Sequence, residues 1–221
     1  MLNFVLILFI CDAVHLFSIA AAGRTAGARV LEISIGVGPV LFRYKRFVLK
    51  PLPINGYVKF LDTREHIVSD DDLPFAIDRL SLGRQIMIAL SGCTALMIVA
   101  AALNGADAWQ DFIALPAQYV MGALSPFGTA QTLLHEAWRV INTTALLSLL
   151  GITAAKLAAF NLLPLAGSNG SHIINAVAQR LGLAKPYPGA VHKLVVFITI
   201  AAIISWVLAM VSAPVLAAYG L

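Results

Sequence analysis

Charge is what this chain has least of. Asp, Glu, Lys and Arg make up 12% of its 221 residues and hydrophobic residues 60%, with a mean hydropathy of +0.87. That balance excludes a soluble globular domain. Cysteine is scarce as well: Cys11 and Cys93 both lie inside apolar runs, where a free thiol behaves as a small hydrophobe. The little charge present is mostly positive, a formal +4, and its placement along the chain accounts for it without a nucleic-acid partner.

What is abundant is long apolar sequence. Crossing about 30 Å of hydrocarbon takes roughly 20 apolar residues, and such runs stand at about 1–22, 86–104, 142–164 and 190–218. The chain reads as a mainly α, polytopic integral membrane protein, one membrane domain over residues 1–221 with about four transmembrane helices. Ala20-Ala21-Ala22-Gly23 looks like a signal cleavage site, but no positive charge precedes the first run, so that run is expected to remain as a span. The Lys and Arg residues from Arg24 to Arg84 crowd between runs one and two, whereas the segment between two and three has only Arg139. Basic residues collect on the cytoplasmic side; Arg180, Lys185 and Lys193 in the third connection agree, and both termini are expected outside. The compact form suits a bacterial inner membrane, with lipid head groups meeting the basic loop.

The basic loop carries structure of its own. Val30–Gly38, Val40–Lys50 and Ile54–Leu61 are rich in β-branched and aromatic residues and punctuated by glycine and proline, which predicts a small membrane-associated β-hairpin or sheet over 29–61. Ser69-Asp70-Asp71-Asp72 and Pro74 read as a polar turn capping a short amphipathic helix over 75–85. The outer connection, 105–140, is broken by Pro116 and Pro126, and short helices on the membrane surface are expected there. Its Trp109, Phe112, Tyr119, Phe127 and Trp138 suit a membrane boundary or a protein interface. Gly23-x-x-x-Gly27 reads as a turn at a span end. His135-Glu136 opens like a zinc motif but has Arg139 where a second histidine belongs, so a surface helix pair is expected. His66 and His192 read as interfacial histidines.

The third apolar run ends in Asn161-Leu162-Leu163-Pro164, followed by Asn169-Gly170. A polar, helix-breaking sequence at membrane depth survives only where protein or a water-filled cavity satisfies its backbone, so a site inside the bilayer is expected there.

Three segments together resemble the site-2 protease family of intramembrane zinc metalloproteases. The stretch from His15 through Val30-Leu31-Glu32-Ile33-Ser34-Ile35-Gly36-Val37-Gly38-Pro39 is similar to the family's first-span motif and following strand. Pro53 to Phe60, with Asn55-Gly56-Tyr57-Val58, looks like the family's client-binding β-loop. Asn161 to Gly170 resembles its second signature, N-x-x-P-x-x-x-x-D-G. The resemblance implies two histidines and an aspartate on zinc, with a glutamate as general base. This chain departs from that pattern: His15 is kept, the base position is Leu16, the second ligand position is Ile19, and Asn169 stands at the third. Asn161, Pro164 and Gly170 match.

With one ligand of three, no catalytic residue and no metal are expected at these relic positions. The expected function is that of a pseudoprotease, a binding or scaffold subunit holding a transmembrane helix of an integral membrane partner or stabilising a membrane complex. The alternative is an active zinc metalloprotease with a displaced site, ligands Cys11, His15 and His172 and Asp12 as base; Cys and His at i and i+4 share a helical face. Asp12 and Lys156 are ionisable groups at membrane depth, where an unpaired charge costs about 2.5–3.5 kcal/mol, and they are expected to form an intramembrane ion pair.

Overall fold

A computed structural model describes residues 2–182 and 190–218, except the side chains of 54, 190–192 and 214–218. Lys185 and the side chain of His192 therefore lie outside the described residues. Among the described residues three helices are long and apolar enough to cross a membrane: Leu2–Thr25, Leu82–Asn104 and Lys193–Ala213, the last within a longer helix. Together with a small mixed sheet they make a helical polytopic membrane architecture.

Helix α1 (Leu2–Thr25) ends where Gly27 takes φ +94°, and the Ala28 N–H donates back to the Gly23 carbonyl at 2.8 Å. This is the left-handed helix stop that glycine permits. The chain then doubles back along α1 as a four-stranded sheet: β1 (Val30–Val37), β2 (Phe42–Tyr44), β3 (Phe47–Leu49) and β4 (Leu52–Phe60), in the order β2-β3-β1-β4. β1 runs parallel to β3 and antiparallel to β4, pairing Val30 with Phe60 and Ile35 with Gly56. Phe60 lies on Gly23 and Gly56 on Leu16, so the sheet follows α1 toward its middle. Leu16, Ala20, Val30, Ile33 and Ile35 form the buried seam between them.

The acidic turn ties down this unit. Arg29 pairs with Asp72 at 2.7 Å and its guanidinium lies over the Phe75 ring. The expected amphipathic helix over 75–85 is not formed. Two single 3₁₀ turns, Leu73–Phe75 and Ile77–Arg79, replace it, because the Arg29 and Ile77 N–H groups donate to the Phe75 and Leu61 carbonyls and tie the segment to the sheet instead of to itself.

Helix α2 (Leu82–Asn104) packs on α1. The outer connection holds α3 (Asp107–Leu124) and α4 (Thr129–Thr143), but these do not lie flat as expected. Ala108 at the start of α3 and Val140 and Ile141 near the end of α4 join the same core cluster as Leu149. Tyr119, twelve residues into α3, meets Phe160 with ring centroids 5.5 Å apart, near the far end of α5 (Leu146–Leu162). α3 and α4 thus form a hairpin that descends beside α5 and returns. The apolar run expected at 142–164 is divided at Thr144–Ala145, and α5 alone, 17 residues, is about 25 Å long.

Leu163, the residue before Pro164, is extended (ψ 147°), as proline demands of its predecessor, and this stops α5. Ser168 caps α6 (Asn169–Arg180), its Oγ accepting from the Ser171 N–H. Helix α7 (Ala190–Ala218) is held by α3 and α4: Gln131 Nε2 donates to the Ala209 carbonyl at 2.9 Å and Trp206 Nε1 to the Tyr119 carbonyl at 3.2 Å.

Candidate functional site

The breaks in α5 and α6 bring Asn169 against α1 and α2 in the interior. Its Nδ2 donates to the Ala89 carbonyl at 2.7 Å and lies 3.4 Å from His15 Nε2 and 3.7 Å from Cys93 Sγ. Gly92 makes this approach possible: a Cβ there would lie 2.5 Å from His15 Nδ1 and 2.8 Å from the His15 carbonyl. His15 is 5% exposed, and its Nδ1 has no hydrogen-bond partner. Gly170 is required at its place because a Cβ would collide with the carbonyl of Leu162. The structure therefore brings His15, Asn169 and Gly170 to one point. Asn161 is close in sequence but not in role, since its amide donates back to the Leu157 carbonyl at 2.9 Å, and Pro164 is exposed.

Whether these residues fit a zinc ion depends on lone pairs. Zinc takes thiolate, imidazole or carboxylate. Leu16 and Ile19 offer none; Leu16 packs with Ala20, Val30, Ile33 and Ile35, and Ile19 with Ala26, Ala28, Leu80 and Ile88. Asn169 uses its N–H side here, because only a donor can satisfy the Ala89 carbonyl, and that same nitrogen faces His15. The residues at these positions do not fit the ion.

The displaced set is not assembled either. No group of three or more His, Cys, Asp or Glu that could hold a metal ion occurs among the described residues. Cys11 is buried in the cluster with Ile7, Cys93 and Leu96. His172 is exposed and feels the charges of Arg64, Glu65 and Asp62. Two turns along α6, Gln179 accepts from Arg64 at 3.2 Å, which fixes this face of the helix toward the segment after β4.

The expected Asp12–Lys156 pair is also corrected. Lys156 Nζ donates to Gln118 Oε1 at 3.0 Å and lies 3.7 Å from Asp111 Oδ1. The descent of α3 beside α5 supplies these partners, which a surface helix could not. Asp12, 8% exposed, keeps an Oδ2 with no hydrogen-bond partner. Glu136 forms the expected helix pair with Arg139 at 3.6 Å, both side chains exposed.

At the β-loop, β4 is an edge strand. Asn55 Oδ1 accepts from the Gly56 N–H at 2.8 Å, and the Tyr57 hydroxyl donates to Glu32 Oε1 at 2.6 Å. Val58 packs inward with Phe60 on the seams under α1. Between α1 and α2 lies an open, mostly apolar groove lined by Ser18, Ala21, Met87, Leu90, Thr94 and Ile98 among others. The contacts of Ala89, Gly92 and Cys93 were not legible in advance; the small residues Gly92-Cys93 inside an apolar run were the available sign.

The sequence model of a family described as "Peptidase family M50" matches residues 3–206. A protein of Neisseria meningitidis named "Putative zinc metalloprotease" is 35% identical over 109 residues, 48% of this chain and 24% of that protein. The regulator of sigma-E protease RseP of Escherichia coli is 32% identical over 103 residues, 44% of this chain and 23% of that one. The chain spans about a quarter of the length of these relatives.

Proposed function

This chain belongs to peptidase family M50, the site-2 protease family, and from that membership we propose that it works without hydrolysis, as a pseudoprotease that holds a transmembrane helix of an integral membrane partner or stabilises a membrane complex. The observation that carries the reading is the Asn169 amide: its N–H serves the Ala89 carbonyl and faces His15, where the family resemblance calls for a carboxylate. Leu16 in the base position and Ile19 in the second ligand position can neither hold a metal nor take a proton from its bound water.

Two surfaces suit a client segment. The free edge of β4, at Asn55 to Val58, offers backbone groups for strand addition, and the groove between α1 and α2 offers small side chains for close helix packing. A bacterial inner membrane with both termini outside is the setting we propose.

The relatives' names favour a second reading, an enzyme cutting a membrane-anchored substrate with zinc. Zinc content measured by elemental mass spectrometry, on protein purified in mild detergent and on a His15→Ala variant, separates the two. We expect far less than one zinc per chain in both samples and no cleavage of a membrane-anchored test substrate. About one zinc per chain, lost in the variant, together with cleavage, would overturn the proposal.

A further inference from the structure

We infer that the end of the sheet nearest the α1–β1 junction binds anionic phospholipid through Lys45, Arg46 and Lys59. Ion pairing divides the basic segment: among the described residues Arg24, Lys50 and Arg84 lack a carboxylate within 4.0 Å, as these three do, and the three are set apart by sharing one end of the sheet. Arg29, Arg43, Arg64 and Arg79 each have a carboxylate within 4.0 Å. Lys45, Arg46 and Lys59, all exposed, have none among the described residues. The one acid beside them is already engaged: Glu32 takes Arg43 at 2.7 Å and the Tyr57 hydroxyl at 2.6 Å.

Register places the three cations at one level. The Arg46 carbonyl accepts from the Ile33 N–H at 2.7 Å, and Lys59 stands opposite Glu32. The β2–β3 turn and the end of β4 therefore share the Glu32–Ile33 level, with β3 and β4 on either side of β1 and so about 10 Å apart. Lys45 sits at the turn with φ +52° and its Nζ lies 5.4 Å from the Tyr44 ring centroid. Tyr44 is itself exposed, the pairing of ring and cation that favours a membrane interface.

The opposite end of the sheet decides between lipid and a soluble anion. Val37, Val40, Leu41 and Leu52 are exposed there, and from Val37 to Leu41 the chain has no charge. This end is mainly apolar, its one cation being Lys50, whose N–H donates to the Ile35 carbonyl and whose Nζ lies 5.3 Å from the Tyr57 ring centroid. With this apolar end at the depth of the middle of α1, the sheet's cationic end meets the phosphate layer, where basic side chains find anionic head groups. A zwitterionic lipid offers the same phosphate but no net charge.

The test is lipid retention by the full chain, read by native mass spectrometry after reconstitution with equal phosphatidylglycerol and phosphatidylcholine. We expect phosphatidylglycerol to be retained severalfold over phosphatidylcholine. Each of Lys45→Gln, Arg46→Gln and Lys59→Gln should lower that ratio at low salt and the triple variant should bring it close to one, while Arg139→Gln, remote from the sheet, leaves it unchanged. A ratio near one for the natural chain, or an unchanged ratio in a triple variant whose thermal unfolding matches the parent, would overturn the inference. Displacement of the lipid by millimolar inorganic phosphate would also overturn it, since the ligand would then be a soluble anion.

Discussion

Lys156 of α5 reaches Asp111 and Gln118 of α3, seven residues apart and so on one face of that helix, its Nζ 3.7 Å and 3.0 Å from their side-chain oxygens. Removing one partner of a partly buried pair leaves the other uncompensated. Lys156→Met should lower stability by about 1–3 kcal/mol, and Asp111→Asn by less because Gln118 still accepts. Asp12→Asn should leave the effect of Lys156→Met unaltered, because Asp12 is not its partner. A double-mutant cycle on thermal unfolding in detergent measures both claims.

Gly92 admits no side chain beside His15. Gly92→Ala should cost about 1–3 kcal/mol through overpacking between α1 and α2. Gly83→Ala is the contrast: no atom lies within 4 Å of a Cβ there, and in the first turn of α2 alanine should stabilise by up to about 1 kcal/mol. Opposite shifts of the unfolding temperature are the expected result.

Asn169→Asp tests the direction of the amide. The substitution would aim an acceptor at the Ala89 carbonyl and leave both unsatisfied, at a cost of about 1–3 kcal/mol. Adding zinc should not restore the loss, because Leu16 and Ile19 supply no further lone pair. Unfolding with and without zinc checks this, and recovery by the metal would show that His15 and the new carboxylate suffice to hold it.

Asp62 gives a pH dependence. Burial alone would raise its carboxyl, but bonds from the Arg64 side chain and N–H and the nearby guanidinium charge hold it below its usual value. Its folded value being the lower one, Asp62 contributes stability in full above the unfolded value of about 4 and loses that contribution as pH falls through the folded value. Asp62→Asn should therefore be less stable than the parent at pH 6 and approach it as pH falls below the unfolded value of about 4, as urea or thermal unfolding across that range will show.

Much of this arrangement can be read from the residues. The apolar runs give α1, α2 and α7 nearly in place, β-branched and aromatic residues mark the sheet, and Leu163-Pro164 marks the end of α5. The α3–α4 hairpin could not be read in this way. Asp107, Gln110, Asp111 and Gln118 make α3 too polar for a span on average, yet Asp111 and Gln118 are turned onto Lys156, and averaging along a chain discards where a side chain points. Asp12 and Lys156 look like partners for the same reason: each needs a countercharge, and sequence does not reveal that a third helix supplies it. At the site, the substitutions at Leu16, Ile19 and Asn169 were legible, but the contact with the Ala89 carbonyl, which fixes the direction of the amide, belongs to the fold alone.

All four strands of the sheet fall between Val30 and Phe60, directly after α1 in the chain. During synthesis the whole ladder can therefore close against the first helix before any residue of α2 has left the ribosome. The ladder bonds between its strands are then made first, while the outer edge of β4 stays open and the segment around Phe75 and Ile77 adds its bonds to the unit afterwards.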